Sequence, residues 1–251
     1  MVRISVLGNS DTSGQKLAPG EKPWVDLIGP RLEAELGEEV IVDSWKFAAY
    51  RGGAVEYARS LVDEAQPDFV ILTLATYWCA FSTVQFGVER RFGRRAGELY
   101  RRLERFTVNH VERRPSESQP TNHRGRRVAR RVIGTGTLLT PNEHCEILSR
   151  VIRDLAAREN LQVLVFADHH FSDDLRERMP GMSATIVSVE LRIKALVEER
   201  RLYWGELEPI IAEGGRREDQ FHPDGVHITA EAHERFAAHL VPLIRDQWKL
   251  R

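Results

Sequence analysis

The chain has 251 residues, of which 42% are hydrophobic and 29% are charged, and its formal net charge is −1. These values exclude a disordered or fibrous chain, and the length suits a single α/β domain over residues 1–251. A molecule this close to neutral is not, as a whole, an electrostatic binder of nucleic acid.

The first residues and the two cysteines bear on the cellular compartment of the protein. Cys79 and Cys145 are too few for a disulfide framework, which indicates either a reducing compartment or indifference to redox conditions. The first residues run directly into an apolar strand pattern, without the apolar region and cleavage site of a secretory signal. No stretch approaches the roughly 20 apolar residues that span a bilayer. We therefore expect a cytoplasmic protein without a membrane span.

In chain order, short apolar runs alternate with amphipathic segments. The runs predict buried strands at 2–7, 40–43, 68–74 and 161–167. Apolar residues at helical spacing predict helices at 24–35, 54–64, 143–159 and 230–248. This alternation is typical of βαβ units, so we predict an α/β fold of three layers, α/β/α, with a central parallel sheet. Ligands of such sheets bind beyond the carboxyl ends of the strands.

An Arg-rich insertion at about 86–140 separates the third and fourth predicted strands. Residues 90–131 hold 14 arginines and four glutamates, a local charge of about +10. The arginines from Arg90 to Arg105 lie at near-helical spacing, with Phe92, Leu99, Leu103 and Phe106 opposite them. We predict an amphipathic helix with a solvated basic face that serves as a lid or as a contact in a homo-oligomer. A nucleic-acid partner is the less favoured interpretation.

The connection after the first strand carries a serine in a Gly-rich turn, Gly8-Asn9-Ser10-Asp11-Thr12-Ser13-Gly14. Glycine permits a tight turn and the close approach of a substrate. A plain polar turn is the alternative interpretation of this segment alone.

A second polar segment, His222-Pro223-Asp224-Gly225-Val226-His227-Ile228-Thr229, precedes the last predicted helix. An Asp and a His at this spacing can place the carboxylate against imidazole Nδ1 and leave Nε2 for a third group. Alternatively, Asp224 makes a turn and Thr229 caps the helix that follows. Together, the two segments supply a nucleophile, a base and a group that orients the base.

These residues resemble the conserved blocks of the SGNH (GDSL-type) hydrolases. The segment from Gly8 to Gly14 is similar to the GDSxTxG opening block, and Asp224-Gly225-Val226-His227-Ile228 to the closing DGxHL block. The strand after Pro67-Asp68 resembles the third strand of the family. The resemblance covers roughly residues 2–78 and 160–248, and it implies an SGNH-hydrolase-like, flavodoxin-like fold.

The resemblance implies roles for the matching residues. Ser10 would be the nucleophile, His227 the general base and Asp224 the residue that orients it. The Ser10 N–H would contribute to the oxyanion hole, with Gly52 or Gly53 as a further donor. The implied reaction is hydrolysis of a small ester or an O-acetyl group through an acyl-enzyme, and it requires neither a metal nor another cofactor.

Two positions depart from the family pattern. Asn9 stands where the first block has Asp. Where the family has GxND after the third strand, this chain reads Ala75-Thr76-Tyr77-Trp78, which puts Tyr77 at the position of the oxyanion-binding Asn. A hydroxyl of Tyr77 or Thr76 can donate instead, and Asn142 is another candidate donor. Because of this departure, two alternatives stay open: a degenerate hydrolase fold that serves as a binding module, and an acyltransferase with the same Ser-His-Asp machinery.

Asp168-His169-His170 follow the fourth predicted strand and have the side chains of metal ligands. Adjacent residues on a loop point in different directions, so we expect no metal and assign these residues to the wall of the pocket. Trp45, Phe47, Tyr77, Trp78 and Phe81 follow strands two and three, where part of the substrate would lie.

Overall fold

A computed structural model describes residues 1–47, 49, 53–102, 135–179 and 181–250. Five strands form one sheet in the order β2-β1-β3-β4-β5, and every neighbouring pair is parallel. The strands are β1 (Val2–Gly8), β2 (Val40–Lys46), β3 (Phe69–Thr73), β4 (Gln162–Ala167) and β5 (Tyr203–Glu206).

Helices connect the strands and cover both faces of the sheet. They are α1 (Trp24–Leu36), α2 (Ala54–Ala65), α3 (Tyr77–Ala80), α4 (Val84–Phe92), α5 (Pro141–Ala156), α6 (Asp173–Arg178), α7 (Met182–Glu199), α8 (Leu207–Ala212) and α9 (Ala230–Lys249). Residues 94–102 are also helical. No helix in these described ranges is long and apolar enough to cross a membrane.

The alternation of side chains along each strand builds two separate cores. In β3, Phe69 and Ile71 point to the core formed with α1 and α9, whereas Val70 and Leu72 point to the core formed with α2, α5 and α7. The other inner strands alternate in the same way, so both faces of the sheet are buried. The predicted three-layer α/β/α architecture is therefore confirmed.

The four predicted strands are present, but the sequence interpretation missed β5 and α7. β5 is a four-residue edge strand, Tyr203-Trp204-Gly205-Glu206, too short and too polar to show an apolar run. A Cβ at Gly205 would lie 2.2 Å from Cε1 of Phe166, so the glycine lets β5 pack beside β4.

The Arg-rich segment differs from its prediction where the structure describes it. The predicted single helix is broken at Gly93, which ends α4 with φ 83° and ψ 168°, and a second helical segment covers 94–102. Phe92 and Leu99 are 67% and 60% exposed. Residues 103–134, which include Leu103, Arg105 and Phe106, lie outside the described residues.

The strand order fixes where a ligand can bind. β1 lies between β2 and β3, so the connections that follow β1 and β3 leave the sheet in opposite directions. The crevice at such a topological switch point is the usual binding site of open α/β sheets. Ser10 follows β1 at this crevice.

Candidate active site

The turn after β1 holds Ser10 through its backbone. The Ser10 carbonyl accepts hydrogen bonds from the backbone N–H groups of Ser13 and Gln15, each at 3.2 Å. The Thr12 hydroxyl donates to the Asn9 carbonyl at 2.7 Å. Gly8 makes this fold of the chain possible, because a Cβ there would lie 2.0 Å from Thr12 Cγ2.

The segment before α9 forms a tight antiparallel loop that carries Asp224 and His227. Phe221 pairs with Ile228, and the His222 N–H donates to the His227 carbonyl at 2.8 Å. Inside the loop, one oxygen of Asp224 accepts the backbone N–H groups of Val226 and His227, at 3.0 and 3.1 Å. Its other oxygen lies 2.8 Å from Nδ1 of His227.

The environment of Asp224 keeps its carboxyl group ionised. Burial alone would raise its pKa, but the hydrogen bonds from the His227 ring and from the two backbone N–H groups outweigh burial and lower the pKa below its usual range. An ionised carboxylate at Nδ1 holds the proton on that nitrogen. Nε2 is then the ring nitrogen that can accept a proton.

A cavity of about 590 Å³ joins the two loops, with Ser10, Asp224 and His227 in its wall. Ser10 is half-buried, and His227 is buried with 7% of its surface exposed. The structure therefore brings the predicted nucleophile, base and orienting carboxylate to one cavity at the carboxyl ends of the strands.

Tyr77, the residue at the family's Asn position, also lines this cavity. Its ring stacks on Phe81 with centroids 4.6 Å apart, and it meets Trp78 edge-on. Burial, with a smaller contribution from the charge of Asp224, raises the pKa of Tyr77 to about 12. The phenol therefore stays protonated and can donate a hydrogen bond.

Thr76 does not reach the cavity. It is fully buried, and its hydroxyl donates to Asp168 at 2.7 Å. The alternative of Thr76 as an oxyanion donor is therefore not carried further, because its only hydroxyl proton is already engaged.

Of the other predicted donors, Gly53 and Asn142 do not line the cavity. Gly53 is an exposed residue at the start of α2 and does not line the cavity. Gly52 lies outside the described residues. Asn142 is exposed, and its side-chain oxygen accepts a hydrogen bond from Arg192 at 2.7 Å.

Asp168, His169 and His170 point to three different partners. Asp168 accepts the backbone N–H of Ala75 at 3.1 Å as well as the Thr76 hydroxyl. His170 Nε2 lies 2.8 Å from Glu190. No group of three metal-ligating side chains is close enough to hold a metal ion within the part of the chain that the structure describes.

The middle residue of the three, His169, belongs to a pair that the sequence interpretation missed. Its Nε2 lies 2.9 Å from Oδ2 of Asp11, and both side chains are buried. The other Asp11 oxygen accepts the Ile228 N–H at 3.4 Å. Burial opposes the charge of Asp11, but the hydrogen bond and the charge of His169 outweigh it and lower the pKa of Asp11. Asp11 thus connects the turn of Ser10, the end of β4 and the loop of His227, a link between distant segments that no local pattern indicates.

The start of the Arg-rich insertion forms another wall of the cavity. Phe86 and Glu89 of α4, and Arg94, Glu98 and Arg101 of the next helical segment, all line it. The sequence predicted a lid as one role for this region, but not which side chains would face the site.

Comparison with known proteins by sequence finds neither a matching family model nor a matching curated protein. Comparison by structure does find similar folds. A lipase/acylhydrolase from Enterococcus faecalis has a TM-score of 0.60 at 15% identity, covering 98% of this chain and 97% of that one. An acetylxylan esterase from Geobacillus stearothermophilus has a TM-score of 0.58 at 11% identity, covering 96% and 93%. A carbohydrate acetylesterase from Sinorhizobium meliloti has a TM-score of 0.54 at 14% identity, covering 98% and 100%.

The chain has the SGNH-hydrolase fold. The fold suggested by the two end blocks is therefore confirmed, over nearly the whole length of the chain and of the structures it matches. In this SGNH fold, the first block follows β1 and the last block precedes α9, so both lie at the same edge of the sheet.

Proposed function

We propose that the protein hydrolyses carboxylic esters through an acyl-enzyme on Ser10. The observation that carries this proposal is the placement of Ser10 in one cavity with the hydrogen-bonded Asp224–His227 pair. Nucleophile, base and orienting carboxylate in this arrangement define the Ser-His-Asp type of acyl transfer.

In the first step, Ser10 Oγ attacks the ester carbonyl carbon, and His227 Nε2 takes the hydroxyl proton. The ionised Asp224 stabilises the imidazolium that forms. His227 then gives the proton to the departing alcohol as the ester bond breaks. Water, activated by the same imidazole, releases the acid from the acyl-enzyme and restores the Ser10 hydroxyl.

The oxyanion of the tetrahedral intermediate would bind between two donors. The Ser10 backbone N–H has no acceptor within the described ranges and remains available. The protonated Tyr77 hydroxyl is the second donor, in place of the family's Asn. A donor aimed at this oxygen is worth roughly 2.7–4 kcal/mol of the barrier.

The solved structures that share the fold support the same class of reaction, since they include an acylhydrolase and two acetylesterases. The volume of the cavity, about 590 Å³, lies in the range of small-molecule sites. A small ester or an O-acetyl group is therefore the substrate that we propose.

Hydrolysis of short-chain p-nitrophenyl esters by the wild type, Ser10→Ala and His227→Ala tests the proposal. We expect turnover by the wild type and a loss of about 10,000-fold or more in kcat for each variant. Labelling by a fluorophosphonate probe should disappear in Ser10→Ala. A wild type that neither turns over an ester nor takes the label would favour a binding module on the hydrolase fold.

A further inference from the structure

Three basic side chains from three separate elements surround the cavity of Ser10. Lys16 belongs to the loop that follows the nucleophile, Lys46 is the last residue of β2, and Arg101 belongs to the helical segment 94–102. All three are exposed and line the same cavity as Ser10, Asp224 and His227.

None of these three cations has an acidic partner within the described part of the chain. The fourth basic residue of the cavity, Arg94, differs, because its Nε lies 3.2 Å from Glu98. Lys16, Lys46 and Arg101 make no salt bridge and no side-chain hydrogen bond to a described residue.

Almost every carboxylate that lines the cavity already has a hydrogen-bond or salt-bridge partner. Asp11 bonds His169, Asp168 bonds the Ala75–Thr76 backbone, and Asp224 bonds His227. Glu98 bonds Arg94, so Glu89 is the one lining carboxylate without a partner among the described residues. Hydrogen bonds do not cancel the charges of these carboxylates, but they engage all of them except Glu89, so Lys16, Lys46 and Arg101 are left with one free carboxylate among the described residues of the cavity wall.

Cations on a cavity wall that have no counter-charge attract and bind an anionic group of a ligand. The catalytic groups do not require the three cations, since Ser10 N–H, Tyr77 and His227 already account for the charge that develops on the reacting atoms. The cations are therefore available for a part of the substrate remote from the ester.

We propose, building on the proposed hydrolysis, that the preferred substrates are esters that carry an anionic group away from the scissile carbonyl. Lys16, Lys46 and Arg101 bind that group, and a carboxylate or a phosphate ester fits the same chemistry. Ser10, His227 and Asp224 perform the acyl transfer, while the three cations on the wall of the same cavity select for negative charge.

Matched substrates test this selection. Para-acetoxybenzoate and para-acetoxybenzamide have the same size and the same acetyl ester, and differ in charge, whereas para-acetoxyphenyl phosphate carries a phosphate instead. The kcat/KM of each substrate is divided by its rate constant for base hydrolysis, which corrects for differences in the reactivity of the ester. We expect the ratio of this corrected value for the anions to that for the amide to be about tenfold or more. The ratio should fall as the ionic strength rises from about 0.02 M to about 0.5 M. The better of the two anions identifies the group.

Substitutions of the three cations test whether they cause the preference for anionic substrates. The triple variant Lys16→Gln, Lys46→Gln and Arg101→Gln should lose the preference while keeping its rate on the neutral amide. Glu89→Gln should increase the preference. The control triple Arg153→Gln, Arg201→Gln and Lys249→Gln removes the same charge from exposed positions outside the cavity and should leave the ratio unchanged.

Equal efficiency on the three substrates, independent of salt, would overturn the proposal while leaving hydrolysis intact. If no ester is turned over and Ser10 is not labelled, hydrolysis itself fails. Calorimetry on Ser10→Ala then still decides the question. Tighter binding of para-hydroxybenzoate than of para-hydroxybenzamide supports an anion site, and equal or absent binding of the two refutes it.

Discussion

At the scale of single residues, two carboxylates organise the surroundings of Ser10, each against one imidazole; Asp11 is buried and Asp224 is exposed. Asp224 holds Nδ1 of His227 at 2.8 Å, and Asp11 holds Nε2 of His169 at 2.9 Å. Only the first of these pairs leaves Nε2 of the imidazole without a carboxylate. Asp11 instead occupies Nε2 of its partner, so we assign it a positioning role.

Asp224→Asn should reduce kcat by about 10,000-fold with little change in KM, because an amide no longer fixes the His227 tautomer or stabilises the imidazolium. Steady-state kinetics on a p-nitrophenyl ester measures the loss. Asp26→Asn, an exposed carboxylate in α1, is the matched control and should behave as the wild type. A loss below about tenfold for Asp224→Asn would assign the orienting role to another group.

Tyr77→Phe should reduce kcat by about 100- to 1000-fold, since it removes one oxyanion donor and keeps the ring that stacks on Phe81. KM and thermal stability should change little. Tyr203→Phe removes a hydroxyl from β5, outside the cavity, and is the control. Activity within about twofold of the wild type would show that Tyr77 does not bind the oxyanion.

At the scale of elements, Ser10, Asp224 and His227 lie in short loops rather than in helices or strands. The loop from Phe221 to Ile228 is closed by two backbone hydrogen bonds of 2.8 Å and by the carboxylate of Asp224. Gly225 occupies its corner at φ +68°, and its carbonyl accepts the Ser172 N–H at 3.0 Å. The geometry of the catalytic pair therefore depends on this one corner.

Gly225→Ala should destabilise the protein and reduce its activity. A left-handed alanine costs about 1–2 kcal/mol, and the added Cβ would lie 2.4 Å from Ser172 Oγ. Gly37→Ala is a close control, because Gly37 has the same φ of +68° and no atom lies within 4 Å of the position that its added methyl group would take. Chemical denaturation should show a larger loss for Gly225→Ala than for Gly37→Ala. Equal losses would mean that the contact with Ser172 relaxes without cost.

At the scale of the whole molecule, the first and last helices form one outer layer and connect the two ends of the chain. α1 packs on α9, and Trp24 meets Phe236 edge-on with centroids 4.7 Å apart. The backbone N–H of Trp24, at the start of α1, donates to Nδ1 of His233 in α9 at 3.3 Å. His233 has no exposed surface, and burial lowers its pKa to about 4.

This histidine should make the unfolding free energy depend on pH. The pKa of His233 in the folded protein lies below the unfolded value of about 6.5. The neutral form of His233 therefore contributes fully to the unfolding free energy above about pH 6.5, and this contribution is lost as the pH falls toward 4. The loss should reach about 3 kcal/mol. Urea unfolding at several pH values measures it, and His233→Gln should flatten the curve in this window. The control variant His239→Gln, at an exposed position of the same helix, should leave the pH dependence unchanged.

Much of the fold could be predicted because its signals are local. Four apolar strands and four amphipathic helices are periodic patterns within about 20 residues, and their alternation alone indicates a parallel sheet in three layers. β5 escaped prediction because it is short and polar. α7 escaped it because apolar residues lie on more than one face of the helix, with Ile186 and Ile193 buried but Leu191 exposed, so no clear helical period stands out.

The sequence by itself also determined the candidate triad, since Ser10, Asp224 and His227 lie in short motifs that can be recognised along the chain. Only the tertiary structure decided which neighbours complete the site. It brought Asp11 to His169, engaged the Thr76 hydroxyl with Asp168, and placed Tyr77 and Arg101 in the cavity wall. The reason is that a hydrogen bond acts over a few ångströms, and residues 92 or 158 positions apart reach that distance only when the strands align in the sheet.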